Sequence, residues 1–374
     1  MSKLSLYLIT TVLIAIMLSL SGCGSSTPTT TNNNTTTKIL LGGTIQGTPL
    51  NLSMIVTTLA GSGSAGAIDG TGIAATFQFP SGVTTDGANL YVTDSVNNKI
   101  RKIVIATGVV TTLAGSGVAG AADGTGVAAT FWSPLGITTD GTNLYITDAG
   151  NNAIRKIVIA TGVVTTLAGS GVAGAADGTG VAATFNWPCE VTTDGTNLYI
   201  ADFGNHKIRK IVIATGIVTT IAGSGVAGAV DGTGIAATFK QPYGITTDGM
   251  NLYVADQGNK EIRKIVIATG VVTTLAGSGA PGAADGTGIA ATFWGPAGIT
   301  TDGINLYVVD TWNNNIRKIV IATGVVTTLA GSGVAGAADG TGIAATFNGP
   351  TGITTDGTNL YIVDKSNNKI RKIQ

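Results

Sequence analysis

Residues 136–168, GITTDGTNLYITDAGNNAIRKIVIATGVVTTLA, decide the fold. Gly136-Ile137-Thr138-Thr139 runs into Asp140-Gly141, a hairpin signal, and Asn143-Leu144-Tyr145-Ile146-Thr147 follows at once. After Asp148-Ala149-Gly150-Asn151-Asn152 come Ile154 to Ile159, the turn Thr161-Gly162, and Val163 to Ala168. β-Branched residues fill each segment and none shows the spacing of an amphipathic helix, so four short antiparallel strands are predicted.

The unit recurs. The Leu or Ile of the TTLAGSG-type motif stands at 59, 113, 167, 221, 275 and 329, a step of 54 residues without insertion. Four strands repeated at this period predict an all-β fold, a six-bladed β-propeller with four antiparallel strands per blade. The repeat region opens with Ile55 to Ala60, an outermost strand, and ends at Ile373, in a third strand whose fourth is missing. The N-terminal strand is therefore expected to close the last blade, which ties the ring and removes an exposed edge.

The organisation expected is 1–22 as a signal segment, 23–37 as a tether, 38–54 as a short pre-strand segment and 55–374 as the propeller. Lys3 followed by the apolar run Leu4 to Leu20 and then Ser21-Gly22-Cys23 reads as an export signal. An ordinary membrane-spanning helix is the alternative, but the run is short and stops at small residues. The Leu20-Ser21-Gly22-Cys23 ending resembles the bacterial lipobox. That resemblance implies lipidation at Cys23 and display on the bacterial cell envelope, at an outer membrane or the cell surface, with membrane contact only through the anchor. Residues 24–37 are a Ser/Thr/Asn leash that cannot bury a core, and 38–54 are expected to add one or two strands.

The repeats themselves, with Pro-x-Gly, Asn-Leu-Tyr-Val-x-Asp and Asn-x-x-Ile-Arg-Lys-Ile, resemble the NHL-repeat family of six-bladed propellers. The Asn-His pair that names the family occurs once, as Asn205-His206; other copies carry Asn97-Asn98, Asn151-Asn152, Asn259-Lys260, Asn313-Asn314 and Asn367-Asn368. The resemblance covers residues 55–374 and implies the fold. Its members include protein, peptide and RNA binders, sensor ectodomains and a few enzymes, so function must come from the site.

Charge narrows the classes. The 374 residues carry 20 basic and 20 acidic side chains, and a chain with no basic excess does not read as a nucleic-acid binder. Eighteen of the acidic residues are Asp in three repeated columns, typified by Asp123, Asp140 and Asp148. The first two read as turn residues. The third column, Asp94, Asp148, Asp202, Asp256, Asp310 and Asp364, is expected near the central opening, where carboxylates suit Ca²⁺, although no dense ligand loop occurs. No other cofactor is expected. The Arg-Lys pairs, such as Arg155-Lys156, read as solvated or paired blade faces.

Twelve aromatics, six Phe and six Tyr, occupy fixed columns and read as core. Phe79, Trp132, Trp187, Phe203, Tyr243, Trp294 and Trp312 do not. They fall around the Pro entering the innermost strand or in the loop after the second strand's Asp, two segments that emerge on one face of a propeller. With His206 they form the candidate binding set, on a variable aromatic face expected around one mouth of the channel. Such a surface suits a protein, peptide or saccharide ligand. Drift on a tolerant loop surface is the alternative.

The third copy departs furthest, with Trp187-Pro188-Cys189-Glu190 in place of Pro-x-Gly. Cys189, Glu190, Asp202 and His206 are the candidate catalytic cluster, since Cys with His is a nucleophile and base pair. Its column mates argue otherwise: Cys189 aligns with Ser81, Leu135, Tyr243, Ala297 and Thr351. The expectation is a monomeric, lipid-anchored binding or scaffold propeller without enzymatic activity. An envelope hydrolase or lyase using the third blade or the channel Asp residues is the alternative, and a purely structural surface protein is a third reading.

Overall fold

In the computed structural model, which describes residues 47–374, six sheets are arranged as the six blades of a β-propeller. Within the second blade the inner strand is Pro134–Thr139, followed outward by Asn143–Asp148, Ala153–Val158 and Val163–Ala168. All neighbours pair antiparallel. A fifth strand, Gly124–Thr125, lies outside them, pairing with Val163 and Val164. It belongs to the loop that arrives from the preceding blade, whose Asp-Gly-Thr-Gly stretch was expected to be only a turn. Each sheet therefore has the four expected strands plus a two-residue one.

Ring closure follows the expected route. Ile55–Ala60 joins the sixth sheet between the short outer strand and Lys369–Ile373, with Val56 opposite Ile373 and Thr58 opposite Arg371. In the preceding segment, residues 47–54 contain no strand. Leu50 and Leu52 pack against the core beside Ile353 and Leu360, and the Leu50 amide donates to Asp302 at 3.1 Å. The signal, the tether, Cys23 and residues 38–46 lie outside the described residues.

The core is a set of seams between blades. Tyr91 of the first blade packs with Phe131, Ile137, Leu144 and Ile146 of the second, and Tyr145 packs likewise with Phe185 and Leu198 of the third. The repeated Phe and Tyr are thus buried as predicted. Each Tyr hydroxyl reaches the hairpin Asp of its own blade, as Tyr145 donates to Asp140 at 2.8 Å. The same carboxylate accepts the amides of Thr142 and Asn143, which fixes the turn.

The Arg column bears out the paired reading of these charges and corrects the solvated one. Arg155 is fully buried rather than solvated, and so are its five equivalents. Its guanidinium donates to Asp148 and Asp123, each at 2.8 Å, and to the carbonyls of Thr130 and Ala122. It also lies 5.1 Å from the centre of the Phe131 ring, within cation–π range. Two of the three Asp columns therefore close around one Arg in every blade.

Candidate functional site

The two variable segments meet, as the topology required. The Trp312 amide donates to the Trp294 carbonyl at 3.0 Å, and the Gly150 amide donates to that of Trp132 at 2.9 Å. In the fifth blade this places two indoles edge to face, 6.0 Å apart at 77°, with Trp294 45% and Trp312 53% exposed. They form one side of a cleft of about 540 Å³ whose other lining residues are Thr311, Asn314, Asn348 and Gly349. The cleft therefore spans the seam between the fifth and sixth blades. The Thr311 hydroxyl has no hydrogen-bond partner among the described residues.

Phe79, Trp132 and Trp187 are also exposed on this face. Phe79 and Trp187 adopt left-handed backbone conformations, with φ of 47° and 53°, which are uncommon for bulky residues. Each is held by the preceding blade: the Phe79 amide donates to Asn368 Oδ1 and the Trp187 amide to Asn152 Oδ1. Where other blades put Gly295 or Gly349 at this position, an aromatic here stores about 1 kcal/mol of strain or more.

Phe203 and Tyr243 behave differently. They meet edge to face at 6.3 Å and are half-buried. The Tyr243 hydroxyl lies 3.3 Å from Ser81 Oγ, which brings together the fourth and first blades across the axis. Around them Ser81, Leu135, Cys189, Ala297 and Thr351 are all buried. On the aromatic face the Tyr243–Ser81 contact therefore plugs the axis, with the residues after the other inner-strand prolines buried around it. An axial cavity remains beneath this plug, lined by all six inner strands.

The third-blade cluster does not assemble into a catalytic arrangement. Cys189 is 1% exposed, and its Sγ is directed at the Trp187 carbonyl, 3.7 Å away. Burial, reinforced by the charges of Glu190 and Asp202, pushes the thiol well above its ordinary range, opposite to what a nucleophile needs. His206 Nδ1 accepts the Gln241 amide at 3.1 Å, the bond that Asn98, Asn152, Asn314 and Asn368 make through Oδ1 in other blades. Among the described residues Cys189 and His206 share no hydrogen bond. Asp202 is held by Arg209, Asn205 and the Asn186 amide. Glu190 instead lines the axial cavity.

The six candidate Ca²⁺ ligands are placed elsewhere than expected. Asp94, Asp148, Asp202, Asp256, Asp310 and Asp364 are fully buried and none lines the axial cavity. Each receives Arg, Asn and backbone donors, as Asp148 does from Arg155, Asn151 and Trp132. Burial raises their carboxyls despite these donors, Asp256 to about 6. Among the described residues no three His, Cys, Asp or Glu side chains are grouped to hold a metal.

No family model matches the chain. Among curated proteins it is 32% identical over 320 residues to Protein SUPPRESSOR OF QUENCHING 1, chloroplastic, of Arabidopsis thaliana, covering 79% of this chain and 30% of that protein. It is 29% identical over 340 residues to NHL repeat-containing protein 2 of Gallus gallus, covering 78% of this chain and 46% of that one. The chain thus spans less than half the length of these relatives. Among solved structures, a Bacteroides thetaiotaomicron VPI-5482 protein of unknown function is similar at TM-score 0.65 and 25% identity, over 85% of this chain and 75% of that one. An auxiliary nutrient binding protein of the same organism is similar in fold at TM-score 0.66 and 19% identity, over 87% and 77%. The 54-residue repeats, the closed six-bladed ring and these relatives together support an NHL-type propeller for residues 55–374.

Proposed function

We propose that this propeller is a binding module that recognises an extracellular saccharide, peptide or protein loop through its variable aromatic face, without catalysing a reaction. The observation that carries the reading is the exposed Trp294–Trp312 pair beside the polar groups of Thr311, Asn314 and Asn348. Apolar ring faces flanked by a few orienting amides and hydroxyls suit a sugar ring or a side-chain-bearing loop. The strained Phe79 and Trp187 support the same face, since backbone strain tends to persist where it serves a site. In this reading the chain acts as a monomer tethered to a bacterial envelope by a lipid on Cys23. Metabolic labelling with a fatty acid tests the anchor, because Cys23→Ser should abolish the label and release the protein from membranes.

Tryptophan emission tests the binding reading, because Trp132, Trp187, Trp294 and Trp312 all lie on the proposed face. Titration with envelope oligosaccharides and peptides should give a saturable change that is lost in Trp312→Ala. A change that survives both Trp294→Ala and Trp312→Ala would move the site away from this cleft. Turnover of any such ligand, lost in Cys189→Ala with His206→Ala while binding persists, would replace the reading with the hydrolase or lyase alternative.

A further inference from the structure

The variable face has a two-fold order inside its six-fold ring. One of its columns reads Gln78, Trp132, Asn186, Lys240, Trp294 and Asn348, so Trp followed by Asn returns after three blades. Three blades are half the ring, and blades so related face each other across the axis, as the Ser81–Tyr243 contact of the first and fourth blades shows. The seam between the second and third blades is thus the counterpart of the Trp294–Trp312 cleft, on the opposite side of the same face.

The likeness is not confined to one column. Trp294, Asn314 and Asn348 line the cleft. Their counterparts are Trp132, Asn152 and Asn186, and no other seam combines Trp with two Asn at these positions. Asn314 Oδ1 accepts the Gly349 amide and Asn152 Oδ1 the Trp187 amide, both at 2.8 Å. Each seam gains a second indole by its own route. In the cleft it is Trp312, whose Cδ2 lies 2.7 Å from where a Cβ on Gly295 would stand. At the opposite seam Gly150 takes the place of Trp312 and the Trp132 ring lies against it, while Trp187 takes the place of Gly349 and is 42% exposed. All four tryptophans of the chain belong to these two opposed seams.

The chemistry on offer is uncharged. The half-buried side-chain amides of Asn186 and Asn348 have no hydrogen-bond partner among the described residues, and each offers one acceptor and two donors. No ionisable residue occupies the matched positions of either seam, whereas Lys240 and Lys260 occupy them between the fourth and fifth blades. A pyranose ring fits such a set, because its C–H face is apolar and lies flat on an indole while its hydroxyls both donate and accept. A peptide loop gives no reason for the same groups to recur half a ring away, but a chain of identical sugar units does.

Resting on the reading of the Trp294–Trp312 cleft as a binding site, we propose that the Trp132–Trp187 seam is a second site for the same ligand, and that this ligand is an uncharged polysaccharide whose repeated units engage both. The second site is the weaker one, since its two indoles form no edge-to-face pair. Its contribution is avidity: once the cleft holds one part of a chain, the opposite seam meets the rest at high effective concentration.

Calorimetry on the whole protein tests this with uncharged tetrasaccharides of glucose, xylose and mannose and with soluble uncharged polymers of the same sugars, compared at equal concentrations of sugar units. At least one tetrasaccharide should bind saturably, and its polymer should bind on the order of 100-fold more tightly. Trp132→Ala and Trp187→Ala should each remove most of that gain, with thermal unfolding verifying the ring. Affinity should be insensitive to salt, because neither site carries a charge. A polymer gain that survives both variants, or no gain in the wild type, overturns the second site and leaves the proposed function standing. Binding of a peptide lost in Trp312→Ala, with no saccharide bound, overturns the saccharide assignment alone, as does affinity that falls steeply with salt. Binding of neither class removes the proposed function and the second site together.

Discussion

Arg155 and Asp148 stand seven residues apart, on strands that are neighbours in one blade, and meet at 2.8 Å with both side chains wholly buried. The carboxylate is itself tied to Asn151 and to the Trp132 amide at the start of the variable face. The ion pair therefore connects the core of a blade to the loops that carry the candidate site. Repeated in six blades, it gives those variable loops a common rigid base.

Removing one member should be expensive. Arg155→Met takes one donor from the Thr130 and Ala122 carbonyls and leaves the buried Asp148 carboxylate without its counter-charge, and breaking a buried pair in this way costs about 3–5 kcal/mol. Lys156→Met, at the neighbouring half-buried position, should change stability by only about 0.5 kcal/mol. Urea unfolding midpoints measure both, and equal effects would show that the Arg network contributes nothing special.

Two glycines of the second blade separate steric from conformational constraints. Gly136→Ala drives a methyl into the Cys189 carbonyl and should cost about 1–3 kcal/mol by overpacking. Gly141 has open space around it but a φ of +87°, so Gly141→Ala should cost only about 1 kcal/mol through backbone strain. The same unfolding measurement decides, and a milder effect at Gly136 than at Gly141 would mean that the cavity floor yields easily.

The fold was legible because periodicity and turn chemistry recur at every copy: a single reading of residues 136–168 holds six times. The core aromatics and the shared face of the variable loops were legible for the same reason. The pairing of the Arg column was one of two readings left open, and its burial was not legible, because a charged pair beside a strand looks identical whether it meets water or an Asp from a distant loop. Only the folded register brings Asp123, 32 residues earlier, onto Arg155. The axial plug was hidden for a related cause. Tyr243 and Ser81 are 162 residues apart, and no local pattern says that their side chains meet across the axis. Glu190 was visible as a departure from glycine, but its direction into the cavity was not.

His206 gives a test of structure against chemistry. Its Nδ1 does the work that Asn Oδ1 does in four other blades, accepting an amide from the next blade. His206→Asn should therefore leave stability within about 0.5 kcal/mol, while His206→Ala should lose about 1 kcal/mol, one hydrogen bond's worth. Thermal denaturation of both variants checks the pair; a large loss in the Asn variant would show that the imidazole has a role beyond capping.

The Cys189 thiol should be inert in the native protein. It is 1% exposed and its ionisation is pushed up by burial, so both access and thiolate population are low. An aromatic disulfide reagent at pH 8 should label it slowly in buffer and at once in urea. Rapid native labelling would show that the axial plug opens and would reopen the case for a nucleophile.

Glu190 should make the stability of the propeller depend on pH in an unusual direction for a carboxylate. Its folded-state pKa is about 8, above the ordinary 4.5 of the unfolded chain. Below pH 4.5 the group is protonated in both states and contributes no pH dependence. As pH rises from there, the unfolded chain releases the proton while the folded one keeps it, so stability falls until both forms are ionised near pH 8. The slope approaches about 1.4 kcal/mol per pH unit inside that window and vanishes above it. The buried Asp residues, Asp256 among them, titrate upward too, so the informative quantity is the difference between the wild type and Glu190→Gln. That difference should grow from pH 5 to pH 8 in favour of the Gln variant and then level off. A flat difference curve would mean that water or a bound cation already stabilises the carboxylate in the cavity.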